Sequence, residues 1–212
     1  MSFTLAGCTL IDNQNIAPGY REAFSSMKTV LFGSEDNLIN YDLVSNIPYA
    51  SLSLKIGNGP KGLMILESIN EEKTYWVSAD DVFVVIKKGR VIQTSGLINN
   101  LTEFNSNHNP FEGLSDNLQS KEMINYYSYE NPVLNLLEVK TLVTRIGVES
   151  VELITGQKDL ILFEEVVENE YLGWKRLNKF WVDDSGFVWK SEQHISPKLP
   201  KFVIEITKKP SR

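Results

Sequence analysis

From Ser51 to Lys208 the chain is dominated by a hydrophobic period of two. Leu52, Leu54 and Ile56 alternate with Ser51, Ser53 and Lys55. Successive side chains of a strand point to opposite faces, so this alternation builds one apolar row and one polar row. Strand patterns of this kind recur in "KTYWVSADDVFVVIKKGRVIQTSG" (73–96), "LEVKTLVTRIG", "ESVELITG", "KDLILFEEVV", "LNKFWVDD", "GFVWKSEQHI" and "KFVIEITK". Turn residues separate them: Gly57 to Gly62, Ala79-Asp80-Asp81, Lys88-Gly89 and Asp183-Asp184-Ser185-Gly186. Strands at such spacing, with helices rare, predict a mainly β fold, an antiparallel β-barrel or strongly curved sheet.

Two hairpin registers follow. A two-residue loop at Lys88-Gly89 pairs Ile86 with Val91 and Val84 with Gln93. The turn at 183–186 sets Phe180 opposite Trp189 and Val182 opposite Phe187, with Trp181 and Val188 on the other face. Two stretches depart from the strand pattern. Tyr20, Phe24, Met27 and Leu31 fall on one face of a helix that opens at Pro18 and closes near Gly33. Residues 97–134 are irregular, with a short helix expected around Lys121 to Tyr127. The expected organisation is a leader remnant and tether over 1–17, then a single β-rich domain with a leading helix over 18–212.

The net charge of −6 leaves no basic stripe of the kind that binds nucleic acid by counterion release. No uninterrupted apolar run approaches the roughly 20 residues that a spanning helix needs. A single cysteine, Cys8, cannot form an internal disulfide.

Cys8 follows Leu5-Ala6-Gly7. This tetrapeptide has the form of a lipobox, where small residues let the chain enter a signal peptidase groove. Two or more acyl chains on such a cysteine anchor a protein stably. The alternative is an incidental thiol. A reactive thiolate would need a nearby cation, and the next basic residue is Arg21. Met1 to Thr4 supply neither the basic nor the apolar part of a signal peptide, so the lipobox reading expects the true start upstream.

Catalytic candidates are weak. The "GNGPKG" stretch lacks the Lys-Ser/Thr of a phosphate loop and reads as a turn. Asp80-Asp81 and Asp183-Asp184 are neighbours at turns, whereas glycosidase carboxylates face each other across a bond. Ser191 lies opposite Glu192 and His194 on one strand, with no strained elbow. His108 stands apart, and no ligand spacing for a metal exists. No catalytic residue, cofactor or metal is therefore assigned. The four tryptophans are Trp76, Trp174, Trp181 and Trp189. Indoles at strand positions are ordinary core residues, but an outward one can stack on a sugar ring. Trp174 and Trp181 are the two expected to face outward and are the candidates for glycan stacking.

Several stretches together resemble the YjbF/GfcB family of bacterial lipoproteins. They are "NIPYASLSLKIGNGPKGLMIL" (46–66), residues 73–96 with the following "LINNLTEF", and "LNKFWVDDSGFVWKSEQHISP" (177–197). The resemblance covers about residues 18 to 207. It implies a β-barrel-like fold without established enzymatic activity, encoded among genes for exopolysaccharide or group 4 capsule production. It also implies an outer-membrane, periplasm-facing lipoprotein with Cys8 as its lipidation site. Thr9 in place of Asp after the cysteine fits outer-membrane sorting. The function so implied is non-enzymatic assistance of polysaccharide secretion or assembly, with secretion proteins or the polysaccharide as partners. The alternatives are a periplasmic barrel that carries a lipid or lipid-linked sugar, and a polysaccharide-modifying enzyme using Asp183, Asp184, Glu192 or His194.

Overall fold

The computed structural model describes residues 39–106, 109–112 and 120–211. Cys8 and the helix expected from Pro18 lie outside the described residues. A short helix α1 (Tyr41–Ser45) is capped by Asn40, whose side chain accepts from Leu43 N at 3.0 Å. The strands are β1 (Ser51–Ile56), β2 (Lys61–Asn70), β3 (Lys73–Ser78), β4 (Phe83–Lys87), β5 (Arg90–Ser95), β6 (Leu101–Asn105), β7 (Ser120–Tyr129), β8 (Leu134–Leu153), β9 (Gly156–Asn169), β10 (Trp174–Val182), β11 (Val188–Gln193) and β12 (Phe202–Lys208).

All twelve strands join one sheet in the order β5-β4-β3-β2-β1-β12-β11-β10-β9-β8-β7-β6. Two meanders thus meet where β1 pairs with β12. The sheet's two ends, β5 and β6, are consecutive in the chain. Residues 96–100 bring them together, and the twisted sheet rolls into a nearly closed antiparallel barrel. Hydrogen bonds fasten the seam: Leu101 N donates to Thr94 Oγ1 at 2.9 Å, and Glu130 N to Asn100 O at 3.3 Å. The Ser196 hydroxyl donates to Asn99 Oδ1. Two asparagines of the "LINN" stretch, Asn99 and Asn100, are therefore buried seam residues.

Leu52, Met64, Trp76, Val84, Leu101, Val139, Val167 and Phe202 fill the interior from strands all around the barrel. Fully burying a large apolar side chain stabilises by about 2–3 kcal/mol. One ion pair crosses this interior. Arg90, on edge strand β5, donates through both terminal nitrogens to the two carboxylate oxygens of Glu165 on β9. Arg90 lies 5.0 Å from the Phe104 ring and 5.2 Å from the Phe180 ring. Asn178 Nδ2 adds a 2.8 Å bond to the same carboxylate.

The structure corrects three local expectations. Residues 121–127 form strand, not helix. Asn125, Tyr127 and Tyr129 are buried in alternation with exposed Ile124 and Tyr126. Asn125, whose side chain donates to Thr141 Oγ1 at 2.9 Å, is the inward polar residue that masks the alternation. In the β4–β5 hairpin Ile86 does pair with Val91, but a bulge pairs Val84 with Thr94 instead of Gln93. In the β10–β11 hairpin the turn already pairs Val182 with Val188, and a bulge between Trp181 and Val182 then pairs Phe180 with Ser191. Val188 consequently joins Phe180 and Val182 in one cluster, leaving the face it was expected to share with Trp181.

The hairpin of β8 and β9 is the longest in the sheet. Its register shifts between Arg145 and Gly147, and its tip then lies against the outer face of the barrel. Val151, Leu153, Leu160 and Leu162 pack there around Trp181. Ile154 N at the tip donates to the Glu205 carboxylate on β12.

Candidate functional site

The expected outward pair of tryptophans is not outward in effect. Trp174 is 3% exposed and packs edge-on to Tyr127 inside the barrel, with ring centroids 6.0 Å apart. Trp181 does point away from the interior side of β10, but the β8–β9 hairpin covers it to 7% exposure. Its indole donates to Glu149 Oε2 at 2.7 Å. Neither ring offers a face to a sugar, which corrects that assignment.

The titratable candidates stay apart. Glu192 pairs with Lys201 at 2.6 Å. Ser191 is buried and accepts from Gln193 Nε2 at 2.8 Å. His194 N donates to Asn178 Oδ1 at 2.7 Å. Burial, then the nearby charges of Arg176 and Lys201, hold the His194 imidazole below its ordinary pKa. Asp183 and Asp184 sit in the turn at the opposite end of β11, about 20 Å away at strand rise. Asp80 and Asp81 occupy the β3–β4 turn. These side chains do not converge in one cleft. Among the described residues no group of three His, Cys, Asp or Glu side chains could hold a metal ion.

What the turn at 183–186 does build is the mouth of the barrel. A cavity of about 350 Å³ opens there, floored by Trp76, Ile86, Val188, Ile204 and Ile206. Its wall carries Phe187 and Trp189, with centroids 5.1 Å apart and planes at 75°. Both rings are only half-buried. The bulge in the β10–β11 hairpin is what places them there, and a strict count of two residues per pleat cannot anticipate it. Asp183 orients the indole: its Oδ2 accepts from Trp189 Nε1 at 2.8 Å. Its Oδ1 accepts from Phe187 N at 3.0 Å and from the Ser185 amide at 2.9 Å. Burial alone would raise this carboxyl; the bonds from Ser185, Phe187 and Trp189 outweigh it and hold the pKa below the ordinary value. Lys158 Nζ stands 4.4 Å from the Trp189 centroid and Lys209 Nζ 4.1 Å from that of Phe187. Glu71, Glu72 and Lys88 form the rim.

A second cavity of about 400 Å³ lies along the seam between β5 and β6. Gln93, Thr102, Asn105 and Asn109 line it with Lys73, Lys87 and Arg90. Lys88, on the β4–β5 turn, lines both cavities, so they adjoin. Half-buried aromatic rings beside ionised and amide groups suit a hydrated ligand with apolar faces, which describes a sugar ring.

Residues 24–208 match the family described as "Group 4 capsule polysaccharide lipoprotein gfcB, YjbF". Among curated proteins of Escherichia coli K12, the chain is 22% identical over 179 residues to the uncharacterized lipoprotein YjbF, covering 82% of each chain. It is 30% identical over 107 residues to the uncharacterized lipoprotein GfcB, covering 50% of this chain and 46% of that one. The fold is similar to the crystal structure of the hypothetical lipoprotein YmcC from Escherichia coli K12. The TM-score is 0.74 at 20% identity, with 89% of this chain and 97% of that one covered.

Proposed function

We propose the following of a chain that belongs to the YjbF/GfcB family of group 4 capsule polysaccharide lipoproteins. It is a non-enzymatic outer-membrane lipoprotein, anchored through Cys8 and facing the periplasm, that assists secretion or assembly of a capsule or exopolysaccharide. It does so by holding the glycan at the barrel mouth. The observation that carries this reading is the Phe187–Trp189 pair, half-buried on a cavity wall with its indole fixed by Asp183. A fixed, part-exposed indole costs little to order on binding, and its apolar face meets the CH face of a sugar ring.

The lipid-carrier alternative needs an apolar cavity long enough for an acyl chain. Trp76, Phe180, Phe202 and Tyr129 instead fill the described interior, and the Arg90–Glu165 ion pair spans it. That favours the glycan. The enzyme alternative needs convergent groups, and Asp183 and His194 stand at opposite ends of β11.

The test uses the host's own surface polysaccharide, immobilised. Trp189→Phe keeps an aromatic ring at the mouth but narrows it and removes the N–H to Asp183; it should weaken retention severalfold while the fold is retained and the thermal midpoint falls only modestly. Retention equal to wild type would remove the mouth from the account. For the anchor, the protein is expressed with its native upstream DNA and its intact mass is measured from the membrane fraction. A mature chain that begins at Cys8 and carries a lipid mass is the expected result. An unmodified chain in the soluble fraction would overturn the anchoring claim.

A further inference from the structure

We infer that the seam groove is a subsite for carboxylate-bearing sugar residues, so that the glycan held at the mouth is an acidic one; this rests on the glycan reading above. The groove adjoins the aromatic mouth through Lys88, which lines both cavities. A chain of sugars stacked on Trp189 would therefore continue past the β4–β5 turn into it.

The charges on its wall are only partly paired within the protein. Lys73 on β3 sits directly opposite Lys87 on β4, and Lys87 directly opposite Arg90 on β5. Three cations in one cross-strand row repel, and like charges placed directly opposite destabilise a sheet. Arg90 escapes by turning into the barrel to Glu165. Lys87 and Lys88 share a single carboxylate, Glu72, at 3.4 and 3.0 Å. Those two lysines hold the Glu72 carboxyl below its ordinary pKa. No carboxylate is paired with Lys73 among the described residues. Glu103 stands on the groove's lining. With Arg90 neutralised inside, the groove's own lining carries three lysines and one carboxylate, Glu103, while Glu71 and Glu72 stand on the adjoining rim of the mouth. The remaining lining groups, Gln93, Thr102, Asn105 and Asn109, are neutral donors and acceptors of the kind that bond hydroxyls. Amide and hydroxyl groups around the Lys73 ammonium, unpaired among the described residues, and the Lys87 and Lys88 that share one carboxylate match a hydroxylated anion: a uronic acid or an acidic ketal on a sugar.

The experiment compares the host polysaccharide with the same polymer after chemical reduction of its carboxyl groups to alcohols. Affinities are measured against wild type, Lys73→Gln/Lys87→Gln and Trp189→Phe. Each exposed ion pair contributes a factor of about 1.5 to 5. The native polymer should thus bind wild type about three- to tenfold more tightly than the reduced one, and added salt should shrink the difference. The lysine double variant should lose that preference. Its thermal midpoint should equal or exceed wild type, since it removes opposed like charges. Trp189→Phe should weaken both polymers alike. Equal binding of native and reduced polymer, with the Trp189 effect intact, overturns this inference and leaves the glycan reading standing. Absence of binding to either polymer overturns both. Vesicles of phosphatidylglycerol form the last arm: lysine-dependent binding to vesicles with no lysine effect on the polysaccharide would assign the groove to lipid headgroups instead.

Discussion

At the scale of single residues, the barrel depends on groups whose roles the sequence hides. Glu165 lies in "LFEEVV", beside an identical residue, and nothing in that run marks which glutamate is buried. Glu165 is fully buried and Glu164 pairs with Lys179 at 3.1 Å outside. Glu165→Ala leaves the Arg90 guanidinium unpaired inside the barrel, which should cost about 3–5 kcal/mol in a urea titration. Replacing both partners with leucine should cost much less, because no buried charge is then stranded. His194 gives a pH dependence with a definite sign. Its folded pKa lies below the unfolded one, so the unfolded state binds more protons. Its contribution is present above the unfolded value, about 6.5, and is lost as pH falls through that value toward the folded one. Asp183 adds a second acid step, because its folded pKa is also depressed: its contribution is lost as pH falls through the ordinary aspartate range to the folded value. The loss of stability between pH 7.5 and 5.5 should be smaller in His194→Gln than in wild type. An unchanged difference would remove the histidine from the pH account.

At the scale of elements, the turns were legible and the bulges were not. Lys88-Gly89 reads as a two-residue loop, and both residues have positive φ, +49° and +77°, as such a loop requires. The period-two count carries the register correctly to Ile86 and Val91 and then fails at the bulge, because the extra residue shifts every pair beyond it. In the β10–β11 hairpin the count already fails at the turn, which gives Val182 the partner Val188, and the bulge at Trp181/Val182 then moves Phe180 on to Ser191. Trp181 shows a different limit. Alternation gave its side of the strand correctly, but coverage depends on a hairpin tip that arrives from elsewhere in the chain. Gly89 joins turn and packing. A Cβ there would fall 2.2 Å from Val188 Cγ2, in a backbone region unfavourable to L side chains. Gly89→Ala should destabilise by about 2–4 kcal/mol, from overpacking added to the backbone cost. Gly156→Ala, at φ +113° with open space around it, lacks the packing part and should cost less. Thermal unfolding of the two variants side by side checks the ranking.

At the scale of the whole molecule, a mainly β barrel was legible because a strand period of two recurs along most of the chain. The strands that close it and the residues at its mouth were not, since both depend on which strands end up adjacent. The sheet order makes β5 and β6 face each other, and only then do Arg90, Lys73 and Lys87 line one seam. The glycan-stacking role moved from Trp174 and Trp181 to Trp189 for the same reason: exposure is a property of the assembled barrel. The four indoles make this claim directly measurable. Trp76, Trp174 and Trp181 are buried and Trp189 is half-buried. The protein, labelled with nitrogen-15 at tryptophan, is titrated with oligosaccharides cut from the host polysaccharide while the indole N–H resonances are followed. The account predicts that the resonance missing from Trp189→Phe moves most, with any smaller shift confined to Trp76 on the cavity floor, and that Trp174 and Trp181 stay in place. A titration in which the Trp189 resonance stays still, while any of the others moves or none does, would contradict it.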